Sequence, residues 1–141
     1  MATGSLGHTL FAFNGRINRG KFWLGQVLGL VISYALLGAS AFLSPGLFTY
    51  DGVGALPPVH PLTWVFLGLA FLVAIWISLA TMIKRCHDRG KSGWWSLIVL
   101  IPIAGFIWMI IELGTFEGEP GTNAWGPNPL GPQTGHAAVA R

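Results

Sequence analysis

The chain has 141 residues, of which 52% are apolar and only 9% charged, with five carboxylates against eight bases and a mean hydropathy of +0.61. About a quarter of residues are charged in an ordinary soluble protein, so lipid is the expected solvent for much of this chain, and a disordered polypeptide is excluded. The lone cysteine, Cys86, rules out an internal disulfide and any multi-cysteine zinc or iron–sulfur centre, and a pI near 9.5 directs attention to where the bases fall.

Residues 1–21 form a basic segment expected on the cytoplasmic side. Three apolar runs follow in a membrane domain over residues 22–113, and an irregular Gly/Pro-rich tail occupies 114–141. The first run, Phe22 to Leu43, holds 22 residues without a charge, and the second, Trp64 to Ile83, holds 20. A helix crosses a hydrocarbon core with roughly 20 residues, so both are expected to span. Between Lys21 and Lys84 the only Asp, Glu, Lys or Arg is Asp51, in a turn-rich loop from Ser44 to Pro61. The third run, Trp94 to Leu113, is broken by Pro102 and carries Glu112 near its end. It reads as a kinked third span, and the rival is a re-entrant segment folded back at Pro102 to Gly105. The expected fold is therefore all-α: a polytopic membrane protein with three transmembrane helices, spanning about 22–43, 64–83 and 94–113, in a small bundle with short loops.

Charge sets the orientation. Arg16, Arg19 and Lys21 precede the first span, and Lys84, Arg85, Arg89 and Lys91 lie in the basic turn KRCHDRGKSG, so seven of eight bases share one side. The positive-inside rule places that side in the cytoplasm, and three spans then put the tail outside. Trp23, Trp64, Trp94 and Trp95 open the spans at headgroup depth, whereas Trp76 and Trp108 fall deeper and need partners for their indole N–H groups. Ala39-Ser40-Ala41 is similar to a signal-peptidase site, but the charged and apolar regions before it are both longer than in a signal peptide, so an uncleaved span is expected.

The densest chemistry is Arg85, His87, Asp88, Arg89 and Lys91 beside the N-terminal Arg16 and Arg19, a candidate interfacial charge cluster. Its bases can hold anionic lipid headgroups, or Asp88 can pair with Arg85, Arg89, Arg16 or Arg19 and tie the two cytoplasmic segments together, or the bases can serve topology alone. Adjacent helical residues do not face one another, which discourages a His87–Asp88 catalytic pair. His8, His60 and His136 lie in separate segments, so no metal site is expected, and no cofactor or nucleic-acid partner is implied. Cys86 is expected to be a small interfacial residue more than a reactive thiol, and Glu112 to sit at the interface. Gly25 and Gly29 in the first span, with Ala70, Ala74 and Ser78 in the second, form small-residue stripes expected to pack helices together.

Three stretches carry a family resemblance. Phe13-Asn14-Gly15-Arg16-Ile17-Asn18-Arg19-Gly20-Lys21-Phe22-Trp23, the run Lys84 to Trp95, and the tail from Gly118 to Pro129 together resemble, in order, the bacterial family called domain of unknown function 805. The departures are Lys84 for Arg, Cys86 for Leu, Trp125 for Tyr and Asn128 for Asp, the last removing an acid that could have held a cation. The resemblance implies a small bacterial inner-membrane protein and adds no reaction. The leading expectation is thus a non-enzymatic structural or interaction component in the lipid bilayer, a homo-oligomer or the companion of another membrane protein. An oligomeric transporter or channel, with the Arg/Asp cluster at its cytoplasmic mouth, is the alternative, and a lipid-headgroup enzyme using His87 and Asp88 ranks below it.

Overall fold

The computed structural model describes residues 5–48 and 59–131, so Asp51, His136 and Arg141 lie outside the described residues. A short helix α1, Leu6–Phe11, leads into α2, Arg19–Leu43, and then α3, Pro61–Asp88. Helix α2 begins at Arg19 because the Asn18 side chain accepts the Lys21 N–H at 2.8 Å, satisfying one of the donors a helix start leaves free. Pro61 at the first turn of α3, with His60 Nδ1 accepting from Leu62 N–H at 3.2 Å, sets the second start. Both helices are long and apolar enough to cross a bilayer.

They form an antiparallel hairpin whose seam is made by small and polar side chains. Gly25 is buried where a Cβ would stand 2.5 Å from Thr81 Cγ2, and at Gly29 a Cβ would stand 3.2 Å from Ile77 Cγ2. Missing side chains let the backbones close. Gln26 Nε2 donates to Thr81 Oγ1 at 3.0 Å, Ser78 Oγ donates to Gln26 Oε1 at 3.1 Å, and Ser33 Oγ donates to the Ala70 carbonyl at 3.2 Å. At the far end Ser44 and Thr63 share a hydroxyl bond of 2.8 Å. Away from the seam the helices remain bare: Val31 is 58% exposed and Phe42 86%. The core helix of a soluble protein would bury such residues, whereas lipid accepts them.

Helix α3 runs five residues past the expected end at Ile83, so Lys84 to Asp88 is helix and the turn is confined to residues 89–92. Charge does not stop a helix. Gly90 does, with φ +69°, a left-handed conformation that favours glycine after a helix end. The extension puts Arg85 and Asp88 three residues apart on one face.

The third apolar run is not one continuous helix. Gly93–Leu100 is a 3-10 helix, residues 101–103 reverse the chain, and α4, Ala104–Trp108, continues into a π-helical stretch, Met109–Thr115. Eight 3-10 residues rise about 16 Å, roughly half of a hydrocarbon core. The reversal has local causes: Pro102 has no N–H to continue a helix, Ile103 takes φ +65°, and Gly105 lets the arms touch, since a Cβ there would lie 2.1 Å from the Ile98 carbonyl oxygen. The expected third transmembrane helix is therefore not formed as one continuous helix: two membrane-length helices are followed by a run that folds back on itself at residues 101–103. Its consequence is large, because the tail returns to the end of the molecule that holds Arg16 and Asp88. Ile17, Phe22, Met82, Cys86, Met109 and Leu113 pack as a buried core at that same end.

Candidate functional site

The charged end is assembled from three pieces of chain around Asp88, which is 2% exposed. Asp88 Oδ1 accepts from Arg16 Nε at 3.0 Å, and its Oδ2 accepts from Arg85 Nη1. Each guanidinium then reaches into the returning tail. Arg85 Nε donates to the Leu113 carbonyl at 2.8 Å and Nη2 to that of Phe116. Arg16 donates to the carbonyls of Glu119 at 2.6 Å, Gly121 at 2.8 Å and Gly126 at 3.1 Å. Planar forks with several donors suit this, since one arginine can hold a carboxylate and several carbonyls together.

The tail docks by backbone as well. Glu119 N–H donates to the Asp88 carbonyl at 2.7 Å, and Asn123 Nδ2 donates to that of His87 at 2.9 Å. Gly118 fits because it lacks a side chain: a Cβ would lie 2.1 Å from Asp88 Oδ2. The Trp125 ring stacks on His87 with centroids 4.9 Å apart and planes 8° off parallel. His87 Nδ1 lies 3.2 Å from the Gly15 carbonyl oxygen, so His87 and Asp88 serve different partners.

The remaining cluster residues divide into a second layer. Arg89 and Lys91 both bind Glu112, at 3.2 and 2.6 Å, and Arg89 also donates to the Glu117 carbonyl. Burial disfavours the charged Glu112 carboxylate, yet its bond to Lys91 and the neighbouring Arg89 outweigh this and hold its pKa below the ordinary glutamate value. Arg19 donates to the Thr115 carbonyl at 2.8 Å and pairs with the exposed Glu117 at 3.2 Å. Lys84, fully buried, donates to the His8 and Thr9 carbonyls and fastens α1 to α3. Trp76 Nε1 finds the Phe11 carbonyl at 3.3 Å, and Trp23 Nε1 that of Gly114 at 3.2 Å.

Sequence reading named the bases and Asp88 but not the tail partners Glu117, Glu119, Asn123 and Trp125, which lie far off along the chain, and it placed Glu112 at the interface without pairing it to Arg89 and Lys91. Gly25 and Gly29 sit in the helix seam, Ala70 is buried there, Ser78 bonds across it, and Ala74 is half-buried. Cys86 is enclosed in the core. Among the described residues no group of three His, Cys, Asp or Glu is placed to hold a metal ion.

The residues that build this end span Arg16 to Gly126. The family model "Protein of unknown function (DUF805)" matches residues 10–127, the same stretch. The chain belongs to the DUF805 family. Within DUF805, it is 29% identical over 117 residues to the Escherichia coli (strain K12) "Inner membrane protein YhaH", covering 83% of this chain and 86% of the relative. It is 26% identical over 118 residues to "Inner membrane protein YhaI" of the same strain, covering 83% and 85%, and 24% identical over 144 residues to "Uncharacterized protein YiiR", with the same coverage. No solved structure matches. The matched region of DUF805 takes in all three elements that meet at Asp88, namely the N-terminal segment, the end of α3 and the docked tail.

A cleft of about 290 Å³ beside the cluster is lined by Arg19, Arg85, Asp88 and Glu117 among others. Two guanidinium groups face two carboxylates there, so the cleft favours neither anions nor cations.

Proposed function

We propose that this DUF805 protein is a non-enzymatic inner-membrane component that self-associates in the bilayer, with its N-terminal segment and its tail both on the cytoplasmic side. Seven of the eight bases lie at the end where the tail docks, which supports that orientation by the positive-inside rule, and the names of the relatives support the inner membrane. The tail was expected outside. Its return through the re-entrant segment moves it to the basic side.

A non-catalytic role is supported by how fully the cluster is used. Both oxygens of Asp88 are taken by arginines, and those arginines hold backbone carbonyls. The arrangement locks the N-terminal segment, α3 and the tail into one plate under the hairpin.

Self-association rests on Tyr34. It lies 12 residues past Phe22, about 18 Å along the helix and so near mid-bilayer, is 67% exposed, and its hydroxyl has no hydrogen-bond partner among the described residues. An unpaired hydroxyl in hydrocarbon is costly, and a facing helix removes the cost. The test is co-purification of two differently tagged copies expressed together and extracted in native nanodiscs. Wild type recovers both tags and Tyr34→Phe reduces recovery several-fold. Recovery of one tag only from wild type refutes the reading.

A further inference from the structure

A second cavity, of about 370 Å³, opens between the end of α3 and the Gly93–Leu100 helix. Leu79, Ile83, Trp94 and Leu97 give it apolar walls, and His87 and Ser92 give it a polar end. Trp94 is 79% exposed and Leu97 46%, so its mouth lies on the apolar outer surface.

His87 is only 9% exposed, and its ring is fixed on both sides. A carbonyl oxygen can only accept, so the contact at 3.2 Å to Gly15 places the proton on Nδ1. In the neutral ring Nε2 then presents a lone pair. It faces Gly93, where a Cβ would stand 3.4 Å away, and it has no hydrogen-bond partner among the described residues. The stack on Trp125 keeps the ring from turning to find one. Beside it the Ser92 hydroxyl makes no bond to cap the helix it precedes.

An occupant of this cavity must bring an apolar body and a hydrogen-bond donor. Charge selects further. Among the described residues this end carries Arg16, Arg19, Lys21, Lys84, Arg85, Arg89 and Lys91 against Asp88, Glu112, Glu117 and Glu119, a net +3. That excess attracts a phosphate diester and opposes a cationic amine. We propose that the cavity binds an anionic phospholipid with a hydroxylated headgroup, of the phosphatidylglycerol type. A headgroup hydroxyl donates to His87 Nε2, and an acyl chain runs along Leu79, Ile83 and Leu97. This site does not depend on self-association.

The test is native mass spectrometry of the intact protein in detergent, titrated in parallel with phosphatidylglycerol and phosphatidylmethanol, which has the same charge but no headgroup hydroxyl. Phosphatidylglycerol should bind roughly tenfold more tightly, the scale of one net hydrogen bond. Leu97→Trp fills the groove and should abolish the preference, while Phe42→Trp, on α2 near its distant end, should retain it. Equal affinity for the two lipids overturns the proposal by reducing the effect to charge. A preference that survives Leu97→Trp overturns it by placing the lipid elsewhere.

Discussion

Replacing Asp88 with Ala removes the one carboxylate that two buried arginines share. The Arg16 and Asp88 side chains are 1% and 3% exposed, and Arg85 is fully buried, so water cannot replace the lost partner without opening the plate. Breaking a buried pair from one side costs about 3–5 kcal/mol. The low end applies here, because Arg85 keeps bonds to Leu113 and Phe116, and Arg16 keeps three tail carbonyls. A loss of about 3 kcal/mol is therefore expected. Arg19→Ala breaks a pair whose side chains are 43% and 83% exposed, and should cost under about 1 kcal/mol. Steric trapping in bicelles measures both variants on one scale. Equal losses would refute the claim that the Asp88 pairs are buried and shared.

Three further outcomes follow from close packing. Gly118→Ala pushes a methyl into the Asp88 carboxylate and should release the tail, so limited proteolysis cuts near residues 118–126 at least several-fold faster than in wild type. Gly25→Val meets Thr81 and should cost about 1–3 kcal/mol of hairpin stability in the same trapping assay, whereas Gly38→Val, with no neighbour within 4 Å, should change it by less than about 0.5 kcal/mol. Gly105→Ala strikes the Ile98 carbonyl and should lower thermal stability in detergent by several degrees, while Ala104→Gly nearby should not.

Much of this architecture can be read from residues, and the failures have physical causes. The two membrane-length helices follow from uncharged runs of bilayer length, and Gly25 and Gly29 mark their seam. The end of α3 does not follow from charge. Lys84 to Asp88 suggests a turn by composition, yet no helix breaker precedes Gly90, and that glycine was the better signal. The third run met the length rule for a span, while Pro102 and Gly105 marked the reversal. Length is necessary for spanning but does not test whether the middle of a run can stay helical. Arg16 and Asp88 were visible as candidates, but the carbonyls of Leu113, Phe116, Glu119, Gly121 and Gly126 carry no side-chain signature. They become partners only once the tail returns.

That return is the central claim, and it is measurable by labelling. In a Cys86→Ala background, single cysteines at Ser92, in the turn after α3, and at Thr122, in the docked tail, are both exposed positions. A membrane-impermeant maleimide applied to right-side-out and to inverted vesicles should label both from the same face, the one exposed in inverted vesicles. A cysteine at position 51, between the two membrane-length helices, should label from the other. Labelling of Ser92 and Thr122 positions from opposite faces would restore a third span and contradict the account.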